Sequence, residues 1–161
     1  MQESKSSKFQ ALFALSKRVK NIDSAATESC LQLLQAAWDI RQYLDERFFR
    51  PNVSEGRFTV LALLLDAPDW TLTPSQLAAG SGVTRATMTG LLDGLEKDGM
   101  LERKAFKNDR RKTSVKLTKP GRDFLLGLLP EYFEILAGLG SGLTDNQRKS
   151  LSKLLDTLST A

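Results

Sequence analysis

The sequence predicts a mainly α-helical fold carrying one small β-hairpin wing. Three observations predict it. Apolar residues recur at helical spacing over most of the chain. Between residues 73 and 99, two short helical segments flank a glycine-containing turn. From Leu101 the apolar period switches from helical to alternating, and it returns to helical after Thr118.

The elements follow in order. Phe9, Leu12, Phe13 and Val19 mark a short amphipathic N-terminal helix whose polar side carries Lys8, Lys17 and Arg18. A longer helix is expected over about residues 24–49, through Leu31, Leu34, Trp38 and Leu44, with Pro51-Asn52 as its interruption. Ser54 is placed to cap a helix with an apolar stretch over residues 60–65, which Pro68 closes. Trp70-Thr71-Leu72 is a short strand candidate. Thr73 is a good N-cap with Pro74 at the first helical position, and the short helix after it is expected to break at Gly80-Ser81-Gly82. Thr84 caps the next helix, whose apolar residues Met88, Leu91, Leu92 and Leu95 lie on one face, and Gly99 ends it. Two alternating segments, 101–106 and 113–117, enclose a charged loop and make the hairpin. Thr118 starts a helix with Pro130, and an expected kink, inside it; Gly138, Gly140 and Gly142 form a break before a last helix with Leu151, Leu154, Leu155 and Leu158.

Charge is distributed unevenly. The chain has 161 residues, enough apolar ones (41%) for a core, and 23 Lys+Arg against 19 Asp+Glu, a net +4. Residues 73–122 hold 11 basic and 5 acidic residues, a local +6 that leaves the remainder at −2. One-third of the chain thus carries all the positive excess, which suits a partner bearing phosphates, although a solvated face has the same composition.

Other classes are excluded or disfavoured. With no histidine and one cysteine, a Cys/His metal site and an internal disulfide are ruled out by counting. No apolar run approaches the roughly 20 residues that span a bilayer, and the N-terminus lacks the apolar core of a signal peptide. The expectation is a cytoplasmic protein with no membrane partner. There is no glycine-rich phosphate loop, nucleophile elbow or metal-ligand cluster, so neither an enzyme nor a cofactor is expected.

The helix after Thr84 has a second face made of Arg85, Ala86, Thr87, Thr89, Gly90 and Asp93. A helix fits the major groove of DNA, where threonine hydroxyls and an arginine can meet base edges. Residues 103–112 carry six basic residues and one acidic one. A hairpin tip is thin enough to enter a minor groove, where an arginine meets enhanced negative potential. Asp109, two residues before Arg111, is spaced to hold a guanidinium by a charge-assisted hydrogen bond. A helix-turn-helix followed by such a hairpin, a winged helix-turn-helix, is more specific than either part.

Leu77-Ala78, Val83-Thr84-Arg85-Ala86-Thr87-Met88-Thr89, Leu95-Glu96-Lys97-Asp98-Gly99-Met100-Leu101-Glu102-Arg103, Asp109-Arg110-Arg111, Leu117-Thr118 and Gly121 resemble MarR-family regulators in order and spacing. The resemblance implies a homodimer joined by its N- and C-terminal helices and acting, as a repressor, on a pseudo-palindromic operator in double-stranded DNA. It divides the chain into residues 1–53 for dimerisation, 54–122 for DNA binding and 123–161 for dimerisation. It further implies Thr84, Arg85, Thr87 and Thr89 in the major groove, Ser75 and Gln76 on phosphates, and a wing of Lys107, Asp109, Arg110 and Arg111, with Arg111 in the minor groove. One departure is plain: Gly90 and Gly94 stand where many relatives carry Arg or another polar residue.

The resemblance also implies control by a small aromatic or phenolic ligand. Trp38, Arg41, Phe48, Phe49 and Arg57 are the candidates to line its cleft; the plainer reading makes Trp38, Phe48 and Phe58 core residues. Cys30 lies at an offset similar to that of the reactive cysteine in peroxide-sensing members, but Leu34 and Leu44 stand where those members place tyrosines. The residues therefore favour a buried, inert Cys30. Thiol-based sensing and a winged-helix protein-interaction module stay open as alternatives.

Overall fold

The computed structural model describes residues 7–49, 53–106 and 109–159, and of residues 7, 105, 106 and 109–112 the backbone alone. Pro51-Asn52 and Lys107 lie outside the described residues. The chain forms two compact units, Met1–Arg50 and Pro51–Ala161.

The first unit is a helix pair, α1 (Ser7–Ser16) and α2 (Ser24–Arg47). Asn21, at φ 62°, supplies the left-handed turn between them, a conformation asparagine tolerates better than most side chains. Asp23 then caps α2 by accepting from the Ala26 amide at 2.9 Å. Phe9 is buried, and the Lys8 ammonium sits 3.7 Å from the centroid of the Trp38 ring, a cation–π contact tying α1 to α2.

The second unit holds α3 (Glu55–Asp66), a 3₁₀ turn (Pro68–Trp70), β1 (Thr71–Leu72), α4 (Pro74–Ser81), α5 (Arg85–Lys97), β2 (Leu101–Phe106), β3 (Asp109–Leu117), α6 (Lys119–Gly140) and α7 (Asp145–Ser159). The strands form one antiparallel sheet in the order β1-β3-β2. Thr71 faces Lys116 across β1–β3, while Leu101 faces Leu117 and Arg103 faces Val115 across β2–β3. Helix α3 packs against α4, α5, α6 and β3. Val60, Leu61, Leu64, Leu77, Met88, Leu92, Leu95, Val115 and Leu125 are all at most 1% exposed. Each such side chain contributes about 1.5–3 kcal/mol by leaving water.

Three expectations are corrected. Gly80 and Ser81 belong to α4; the break comes at Gly82, at φ 65°, the left-handed residue whose amide donates to the Ala78 and Ala79 carbonyls and ends the helix. Trp70 lies in the 3₁₀ turn at φ 56°, so the strand starts at Thr71, and the Arg122 guanidinium lies 5.3 Å from the Trp70 ring. Gly138 and Gly140 continue α6, and the break falls at residues 141–144, where Thr144 and Gln147 form the capping pair that starts α7.

Two tight joins fix the hairpin between α5 and α6. Gly99, at φ 70°, ends α5. Thr118 caps α6 by accepting from the Gly121 amide at 3.1 Å, while its own hydroxyl donates to the Gly99 carbonyl at 2.7 Å. Its amide donates to the Met100 carbonyl at 3.1 Å. One threonine thereby joins the end of α5, the start of β2 and the start of α6.

Candidate nucleic-acid interface

The helix-turn-helix is built by two capped helices. Thr73 and Gln76 form a capping box: the Thr73 amide donates to Gln76 Oε1 at 2.8 Å, and the Gln76 amide donates to Thr73 Oγ1 at 3.2 Å. The Thr-x-x-Gln spacing was a readable signal for this pair. Gln76, expected to meet phosphate, therefore commits its carbonyl oxygen to α4, while Ser75 is exposed in the first turn. Leu77 and Ala78 bury the inner face of α4.

Thr84 caps α5 by accepting from the Thr87 amide at 3.2 Å, and its hydroxyl lies 2.9 Å from that of Thr87. The Thr89 hydroxyl donates to the Arg85 carbonyl at 3.0 Å. Met88, Leu92 and Leu95 are buried on one side of the helix; Arg85, Ala86, Thr87, Thr89, Gly90 and Asp93 are exposed on the other. Among the described residues, the Arg85 guanidinium makes no ion pair. It stands at the N-terminal end of an exposed helix, where the macrodipole is also positive.

The two glycines of α5 differ. A Cβ at Gly90 would meet nothing within 4 Å, so that position is an open surface. A Cβ at Gly94 would lie 3.3 Å from Arg57 Nη1. Gly94 makes room for Arg57, whose Nη2 pairs with Asp98 at the end of α5 at 2.5 Å. Arg57, a candidate ligand contact, is thus engaged with the end of α5.

The wing rises beside α5. Arg103, in β2, pairs through Nη2 with Asp93 at 2.7 Å and reaches Glu96 through Nε at 3.6 Å. Lys104 pairs with Glu102 at 2.7 Å. Two of the six basic residues of segment 103–112 are therefore internally compensated, which composition alone did not reveal. Asp109, Arg110 and Arg111 lie on β3, which is paired with β2; their side chains, like Lys107, fall outside the described residues.

The remaining candidates divide between the two units. In the first unit, Trp38 is 36% exposed and lies under Lys8, Arg41 is exposed, and Phe48 is buried. Phe58, in the second unit, is buried with its ring 4.7 Å from that of Tyr132. Cys30 is exposed on α2, which corrects the expectation of a buried thiol. Among the described residues no single helix is long and apolar enough to cross a membrane, and no group of His, Cys, Asp and Glu could hold a metal ion.

A helix-turn-helix with an exposed second helix, backed by an antiparallel wing, defines a winged-helix regulator of transcription. Comparison with known proteins supplies the family. The MarR family model matches residues 53–113. The chain is 37% identical over 138 residues to the HTH-type transcriptional repressor YetL of Bacillus subtilis (strain 168), covering 86% of this chain and 83% of YetL. It is 32% identical over 103 residues to the transcriptional repressor MprA of Escherichia coli (strain K12), covering 64% of this chain and 58% of MprA. The chain belongs to the MarR family of transcriptional regulators. Its fold matches Sco3205 of Streptomyces coelicolor, solved in complex with DNA, with a TM-score of 0.75 at 22% identity over 88% of this chain and 89% of that one. It also matches BpsR of Bordetella bronchiseptica, a protein whose DNA binding is regulated by 6-hydroxynicotinic acid, with a TM-score of 0.69 at 24% identity over 81% and 92% of the two chains.

Proposed function

We propose that this regulator binds double-stranded DNA as a homodimer on a pseudo-palindromic operator and represses transcription there. The observation that carries the reading is the outward face of α5. It presents Arg85, Thr87 and Thr89 beside a wing whose sequence adds Lys107, Arg110 and Arg111. The helix is the right width for a major groove, and the hairpin for the minor groove next to it. Ser75, at the start of α4, is placed for a phosphate.

Exposed apolar side chains support the dimer. Leu151, Leu154, Leu155 and Leu158 on α7 are 37–63% exposed, as is Phe133 on α6 at 57%. A leucine stripe of this kind on a terminal helix is what a second copy would cover. Release by a small aromatic carboxylate is supported by Arg57: a ligand carboxylate reaching it would compete with Asp98 and loosen the end of α5.

The test is the binding of a labelled duplex over a range of salt concentrations. A DNA reader loses affinity steeply, with a log–log slope set by the number of phosphates neutralised. Association that is indifferent to salt would sink the DNA reading and favour a protein-interaction module.

A further inference from the structure

We propose that Arg103 is a positioning residue for DNA binding, acting by neutralising two carboxylates on the exposed flank of α5 while fixing the wing to that helix. The inference rests on the DNA-binding reading above. Asp93 and Glu96 lie one turn apart on α5, 60% and 41% exposed, beside the face proposed to meet DNA. Two uncompensated carboxylates there would oppose phosphate approach.

Arg103 answers both. Its Nη2 lies 2.7 Å from Asp93 Oδ1 and 3.4 Å from the Thr89 carbonyl, and its Nε lies 3.6 Å from Glu96 Oε2. The last distance is too long for a hydrogen bond, and Nε makes none, so that contact is electrostatic. Glu96 is instead held through its other oxygen, which accepts from the Arg103 backbone amide at 3.0 Å. The Arg103 side chain is only 26% exposed. A partly buried arginine with three partners on one helix is poorly placed to contact DNA itself. It is well placed to set the angle between helix and wing, because Arg103 lies opposite the fully buried Val115 in the sheet.

The experiment uses the full chain and a duplex that the wild type selects from a randomised library. Arg103→Ala is expected to melt cooperatively, keep the wild-type oligomeric state and bind that duplex about tenfold more weakly. Adding Asp93→Asn and Glu96→Gln to the same variant is expected to recover most of the loss, while the same pair with Arg103 retained raises affinity far less; equal gains in the two backgrounds would mean that Arg103 does not act through these carboxylates and would overturn the proposal. If the alanine variant does not fold, Arg103→Gln, which keeps the aliphatic stem, takes its place under the same criteria. Wild-type affinity in the arginine variant, or a loss that neutralising the carboxylates leaves untouched, overturns the proposal. Failure of the wild type to select any duplex overturns the DNA-binding reading with it.

Discussion

The α-carbon of Gly121 rests against the carbonyl of Met100, so closely that a Cβ there would lie 2.0 Å from the oxygen. The neighbour is backbone, already accepting from the Thr118 amide, and it cannot swing away. Gly121→Ala must therefore push α6 away from Met100, the residue that joins α5 to β2. The expected cost is about 3 kcal/mol or more, at the upper end of overpacking effects. Urea unfolding would show it as a lower midpoint; an unchanged midpoint would mean that this approach is looser than described.

Gly90 makes the opposite case. Its Cβ position is empty in all directions, and it lies inside a helix with ordinary dihedrals. Gly90→Ala is expected to raise stability by about 1 kcal/mol, the usual gain for removing a helical glycine. Gly94→Ala should gain less or nothing, because the new methyl meets Arg57 at 3.3 Å. Comparing the two melting curves separates helix propensity from contact; equal gains would dismiss the Arg57 contact as a constraint.

These glycines show where the sequence was legible. Propensity, caps and apolar period are local, so Thr84, Ser54 and Thr118 announced their helices, and the switch of period at Leu101 announced the wing. The ion pairs Arg57–Asp98 and Arg103–Asp93 join residues 41 and 10 positions apart, and no local pattern encodes them. For that reason two arginines whose pairing no sequence pattern announces are found bound to carboxylates of α5 and its C-cap. The glycine break at residues 138–142 was misplaced for a related reason: glycine lowers helix stability without forbidding it.

Leu154 is 63% exposed on α7, with Leu151, Leu155 and Leu158 beside it. If a second copy covers this stripe, Leu154→Asp buries a charge at the contact and is expected to shift the protein from dimer to monomer at micromolar concentration. Sedimentation velocity would read the change, and far-ultraviolet circular dichroism would confirm that helix content is retained. A variant that stays dimeric with unchanged sedimentation would remove α7 from the proposed interface.

Arg111 tests the other half of the reading. It lies on β3 close to the turn from β2, in a run of charged residues, so its replacement should leave the fold and the dimer intact. A minor-groove arginine acts through electrostatic potential more than through base identity. Arg111→Ala should therefore weaken binding to a selected duplex and to a mixed-sequence duplex alike, by roughly tenfold, and reduce the salt slope by about one. Fluorescence anisotropy at three salt concentrations on both duplexes would measure this. Loss confined to the selected duplex would instead assign Arg111 to base recognition, and unchanged affinity on both would take the wing out of the contact and leave α5 as the sole reader.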